Sequence, residues 1–173
     1  MINKISLGLL GALCAFLLVF VVAGLSSAPE WRGSKTEVYN APIDSVWFLL
    51  KDTHRYNSQR HEVAKTQMLV EENTYRKWRE HTNIFGDILL ETAHEAPMKV
   101  LEIRMIESGF GMKGTWTFLL TPEHGKTKVT ITENSVTDGL VMRSILTLVG
   151  RNGNLKLQAN VLRRHVQKMN IKS

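Results

Sequence analysis

The sequence predicts an α+β fold: an antiparallel sheet of about seven strands and a long C-terminal helix, behind an N-terminal transmembrane helix. Three observations predict it. No charged residue occurs from Ile5 to Pro29. Between residues 62 and 133 apolar and polar side chains alternate with a period near two, as in half-buried strands. Finally, Leu155, Ala159, Leu162, Val166 and Met169 recur at alternating steps of four and three, which marks one face of a helix.

At about 1.5 Å per helical residue, the stretch from Ile5 to Leu25 spans about 31 Å, the thickness of a bilayer's hydrocarbon core. A cleaved secretory signal is the rival reading, because Ser26-Ser27-Ala28 offers small residues to a signal peptidase. Against cleavage, the apolar run exceeds the usual signal core and Pro29 would follow the scissile bond. A retained anchor over residues 1–29 is therefore the expectation. Lys4 and the terminal amine favour a cytoplasmic N-terminus with the domain on the other side, although Arg32 and Lys35 weaken that signal. The expected location is a single-pass membrane protein with an extracytoplasmic domain, periplasmic in a bacterium.

The remainder, about 144 residues, is one domain with enough chain to bury a core. It keeps all 16 acidic residues and all but one of the 22 basic ones, so it stays basic beside the membrane. The basic residues are interleaved with acids, as in Arg76-Lys77-Trp78-Arg79-Glu80, and no nucleic-acid-binding signature appears; no nucleic-acid partner is expected. The single cysteine, Cys14, lies inside the apolar run, which leaves the domain without a disulfide or a thiol nucleophile. Stability must come from packing.

Residues 30–35 read as a short polar linker and about 34–39 as a first strand. Pro42 suits the first turn of a helix over 43–51, with Asn40 as a cap, Asp44 complementing the helix dipole, and Val46, Trp47 and Leu50 on one face. Residues 53–60 are polar and irregular, with room for one more helical turn. Six strands follow, over about 62–70, 73–81, 87–95, 99–107, 114–121 and 126–133, separated by turn residues. Leu101, Ile103 and Met105 share one face, as do Trp116, Phe118 and Leu120, and Val129 and Ile131 point inward. Glu123-His124-Gly125 is a hairpin turn. Asp138 is placed to cap an apolar segment, 140–149, and a break at 150–154 precedes the C-terminal helix. The outer face of that helix carries Lys156, Arg163, Arg164 and Lys168.

This order, with several local patterns, resembles the START/Bet v 1-like (SRPBCC) superfamily, particularly its bacterial polyketide cyclase/dehydrase-type members. The carriers are Tyr39-Asn40-Ala41-Pro42-Ile43-Asp44-Ser45-Val46-Trp47 at a strand-to-helix junction, then Asp52 and Arg60-His61-Glu62-Val63. Gly114-Thr115-Trp116-Thr117-Phe118 and the run from Gly125 to Glu133 are similar to the family's last hairpin. Met142-Arg143 and the apolar run after them look like the segment before the final helix in membrane-associated relatives; Asp138-Gly139-Leu140 departs from the Asn-Pro often found there. The resemblance covers about residues 36–168, and the domain it implies is residues 36–170. It implies a helix-grip fold, a curved sheet wrapped around the C-terminal helix with a cavity between them. It also implies an apolar ligand such as a lipid, sterol or polyketide, and only some members are enzymes.

The six histidines, His54, His61, His81, His94, His124 and His165, are dispersed without a metal-binding spacing, so neither a metal nor a cofactor is expected. No GxSxG elbow supports serine catalysis, and Gly109-Phe110-Gly111 opens no helix that would make it a phosphate loop. Glu80, His81, Glu91 and Arg104 lie inside predicted strands and are the positions from which acid/base chemistry would come. Alternation sets Arg104 on the face opposite Leu101 and Ile103, and Glu91 on the face opposite Ile88 and Leu90; a solvated sheet exterior is the preferred reading of these positions, and no catalytic residue is assigned. Trp78, Trp116, Phe118 and Tyr75 are available as aromatic cavity walls. The expected lining is Trp116, Phe118, Leu101, Ile103, Met105 and Leu162. The 140–149 segment fits both a lid that touches the membrane and a plug that closes the end of the sheet; the plug is preferred.

The leading functional expectation is thus a membrane-anchored domain that binds a hydrophobic small molecule or lipid. A cyclase/dehydratase-type enzyme with acid/base residues in the cavity is the alternative. A protein-interaction module with a filled core and a basic surface is the second alternative.

Overall fold

A computed structural model describes residues 4–171, with side chains described from Gly8 onward; the Lys4 charge invoked for orientation lies outside those side chains. The first element, α1 (Lys4–Ser26), is long and apolar enough over Gly8–Ser26 to cross a membrane, and almost all of that stretch is exposed. It runs directly into β1 (Glu30–Tyr39). The expected linker at 30–35 is therefore strand: Glu30 already pairs with Val136 and Lys35 with Ile131, since edge pairing satisfies a backbone that a free linker would leave to water.

Then come α2 (Ile43–Lys51) and α3 (Thr53–Asn57), followed by β2 (Val63–Glu71), β3 (Arg76–Thr82), β4 (Gly86–Ala96), β5 (Val100–Ser108), β6 (Met112–Glu123) and β7 (Lys126–Thr137). α4 (Leu140–Val149) and α5 (Gly153–Ile171) close the chain. The seven strands form one antiparallel sheet in the order β1-β7-β6-β5-β4-β3-β2. Its curved inner face holds α5, the helix-grip arrangement.

Local chemistry fixes the corners. Glu123 pairs with Lys126, so His124 (φ 49°) and Gly125 (φ 77°) form a two-residue turn with both dihedrals positive, matching the twist of the flanking strands. Gly114 is needed for a different reason: a Cβ there would stand 2.5 Å from the Asn134 carbonyl oxygen. Two expected caps are corrected. Pro42, not Asn40, is the N-cap of α2, and Gly139, not Asp138, that of α4; neither makes a side-chain cap bond. Asp52 does cap α3, accepting the Arg55 N–H at 2.9 Å.

The α5 stripe works as its spacing requires. Leu155, Ala159, Leu162 and Val166 are buried, with Met169 packed at the core's edge; each fully buried leucine contributes about 1.5–3 kcal/mol. Tyr39 donates its hydroxyl to the Ala159 carbonyl at 3.1 Å, and the buried His165 ring lies 3.1 Å from the Tyr56 carbonyl. Burial holds the His165 pKa below its ordinary value, so the neutral ring donates its Nε2–H to that carbonyl.

Candidate functional site

Packing is unequal along α5. Its later turns, from Ala159 to Val166, press against the sheet and α2, while Asn154, Leu157 and Gln158 stand over a cavity of about 330 Å³. The opposite wall is the inner face of the sheet, where strand alternation delivers every second side chain: Trp78 and Glu80 from β3, Ile88 and Leu90 from β4, Ile103 and Met105 from β5. β6 adds Met112, Trp116 and Phe118, and β7 adds Glu133, Ser135 and Thr137. Tyr56, Asn57 and Arg60 line one side, and Met142, Ile145, Leu146 and Val149 of α4 lie at one end.

Four of the six expected lining residues, Ile103, Met105, Trp116 and Phe118, stand on this wall. Leu101 and Leu162 do not. Both are fully buried and border no part of the cavity, although Leu101 pairs across the ladder with the wall residue Phe118. Trp78 is on the wall, but Tyr75 precedes β3 and lies outside, donating its hydroxyl to Glu91 at 2.9 Å. Arg104 and Glu91 meet on the outer face at 3.3 Å, and His81 meets Asp87 at 2.7 Å.

Glu80 corrects the exterior assignment, because it points inward and is 2% exposed. It shares the parity of Trp78, and that shared parity was the sequence signal for its position. One oxygen accepts the Asn57 amide at 2.8 Å and the Trp78 indole N–H at 3.1 Å; the other accepts Arg60 at 2.8 Å. Arg60 also donates to Glu62 at 2.8 Å. Burial lowers the Arg60 pKa, but Glu80 and Glu62 more than offset it, so the guanidinium stays charged.

Glu133 is the second inward carboxyl missed from the sequence, although it continues the parity of Val129 and Ile131. It is 2% exposed and accepts the Asn154 amide at 3.0 Å. A chain continues from there: Gln158 donates to Asn154 at 3.4 Å, and Tyr56 donates to Gln158 at 2.5 Å. Burial pushes the Glu133 carboxyl above the usual carboxylate range, only partly offset by Trp116, Asn154 and Ser135. The Trp116 indole nitrogen is buried and makes no hydrogen bond among the described residues, so it acts on Glu133 only through its proximity. The site is thus a largely apolar chamber with two polar posts, one a hydrogen-bonded ion-pair cluster at Glu80, the other a carboxyl at Glu133 that burial makes easier to protonate than a free one. Among the described residues no three His, Cys, Asp or Glu side chains gather to hold a metal ion.

No family model matches the sequence, and no curated protein matches it. Solved structures match its fold. The Zhui aromatase/cyclase from a Streptomyces species superposes with a TM-score of 0.68 at 17% identity, over 80% of this chain and 94% of that one. Norcoclaurine synthase from Thalictrum flavum gives 0.63 at 13% identity, over 84% and 91%. A conserved protein from Geobacillus kaustophilus gives 0.62 at 19% identity, over 83% and 97%. At such identities the likeness is one of fold alone, a curved antiparallel sheet gripping a C-terminal helix.

Proposed function

We propose that this chain is a membrane-anchored domain that binds a hydrophobic small molecule or lipid in the chamber between sheet and α5, on the extracytoplasmic side of the membrane into which α1 runs. The chamber carries the reading: about 330 Å³ of space with aromatic and aliphatic walls suits a mostly apolar ligand, and the few polar groups would orient it. An α1 that carries no charge after Lys4 and leads straight into β1 supports the anchor and would hold the chamber close to the bilayer. A filled-core interaction module does not account for the space.

A second reading, a cyclase/dehydratase-type enzyme, is favoured by Glu133. A carboxyl that burial makes easier to protonate, standing beside an open apolar space, is equipped in its protonated form to donate a proton to a carbonyl or hydroxyl oxygen of a bound ligand. The names of the neighbouring aromatase/cyclase and synthase are compatible with it.

Native mass spectrometry of the full chain released from mild detergent tests binding. The wild type should carry a discrete apolar adduct, and Ile103→Trp, which fills the chamber, should lose at least nine-tenths of it. No adduct on the wild type, or equal adducts on both, would contradict the proposal.

A further inference from the structure

Four features meet at one end of the sheet. There α1 ends and β1 begins, with the Thr137 N–H donating to the Pro29 carbonyl at 2.9 Å. The β3–β4 hairpin tip presents Ile84 and Phe85 at the same end, where the Phe85 ring lies 5.3 Å from that of Phe110 in the β5–β6 turn. The third feature is α4, which follows Thr137 directly. The fourth is the chamber's opening: Phe85, Ile145 and Val149 line it and are also 40%, 38% and 81% exposed.

α4 belongs to two structures at once. One face packs on α1 through a seam so close that a Cβ on Gly24 would stand 2.8 Å from the Leu140 carbonyl oxygen. Arg151, just after α4, strengthens that seam by donating to Ser27 Oγ, to the Ala28 carbonyl at 2.6 Å and to the Glu30 carbonyl at 3.3 Å. A second face, with Met142 and Leu146, roofs the chamber. Between these two faces stand Val141 and Leu148, apolar and exposed at 62% and 51%. Gly139 and Gly150 bound the helix, and Gly150 has the positive φ of 98° that only glycine adopts readily. An apolar face continuous with an apolar membrane helix has one natural occupant, lipid.

We propose that α4 and the Ile84-Phe85 tip lie against the bilayer surface around α1, and that an apolar ligand passes beneath α4 between lipid and chamber without crossing water. This rests on the binding function proposed above. Basic Arg32, Lys113, Arg143 and Arg151 at this end are interleaved with Glu30, Asp87 and Asp138, which leaves a small net charge, so apolar contact carries most of the docking.

The full chain reconstituted in phosphatidylcholine vesicles, with a dansyl-labelled fatty acid in the lipid, tests it through energy transfer from the chamber tryptophans. The double variant Val141→Asp/Leu148→Asp should load at least tenfold more slowly, with the amount bound at equilibrium within twofold of wild type. An unchanged rate overturns the route through α4, whereas no loading by the wild type overturns the binding function itself. A second measurement covers a variant that fails to fold. In a Cys14→Ser background, a bimane at Leu148→Cys should be quenched by doxyl lipids at least threefold more strongly than one at His124→Cys, about 35 Å away at the far end of β7. Equal quenching overturns the proposal.

Discussion

Trp116 and Glu133 face each other directly across the β6–β7 ladder, both on the inner side of the sheet. A carboxyl is thereby set into an aromatic wall, with the Asn154 amide as its hydrogen-bond donor. This pairing gives an otherwise apolar chamber a group with chemistry.

The first expectation concerns pH. Because the folded-state pKa of Glu133 is raised above its ordinary 4.5, its contribution to stability is fully present below that value and lost as pH rises through the raised one. Glu133→Gln should abolish that loss. Denaturation of both proteins from pH 4.5 toward neutrality should show wild type losing stability relative to the variant; a difference that stays constant with pH would count against a perturbed carboxyl.

Packed wall and open wall should respond differently to truncation. Leu101→Ala removes a side chain that is fully buried and borders no part of the chamber, and should cost about 2–5 kcal/mol. Ile103→Ala should cost less, since the atoms it removes already border empty space. Equal losses in chemical denaturation would mean that the chamber is filled in solution.

The Glu80 cluster should behave as a buried ion pair. Arg60→Met leaves Glu80 without its guanidinium and should destabilise by about 3–5 kcal/mol. Arg60→Met/Glu80→Leu should be milder than that single change, because no uncompensated charge remains. A double variant as unstable as the sum of both singles would place the cluster's value elsewhere.

Gly24→Leu should open the α1–α4 seam, because its Cβ meets the Leu140 backbone oxygen, which cannot swing aside as a side chain does. Trypsin should then cut after Arg151 several-fold faster than in wild type. Gly11→Leu, in the same helix but with open space at its Cβ, should leave the cutting rate unchanged.

Element order was legible in the sequence because each element carries its own periodicity. The 43–51 helix and the 140–149 helix occur with the expected bounds, and α5 begins two residues before Leu155. Strand ends were less legible, since pairing extends a strand as far as its partner reaches: β1 gains Glu30 to Gly33 from β7, and β7 gains Asn134 to Thr137 from β1 and β6. The two inward carboxyls were missed for one physical reason. Charge argues for solvent, while parity with Trp78 and with Ile131 argues for the interior, and on this sheet parity wins because Arg60, Asn57 and Asn154 arrive from other elements as partners. Sequence spacing cannot show those partners. Nor could it show where the α5 packing gives way to space, which separates Ile103 from Leu101.

Photolabelling of the full chain in its membrane with a diazirine-bearing fatty acid tests the central claim most directly. Peptides from Val100–Ser108 and Met112–Glu123, which carry Ile103, Met105, Trp116 and Phe118, should be labelled along with α1 and α4. The Ile103→Trp protein should lose label from those two strands and keep it on α1. Label confined to α1 in the wild type would contradict a chamber that takes its ligand from the bilayer.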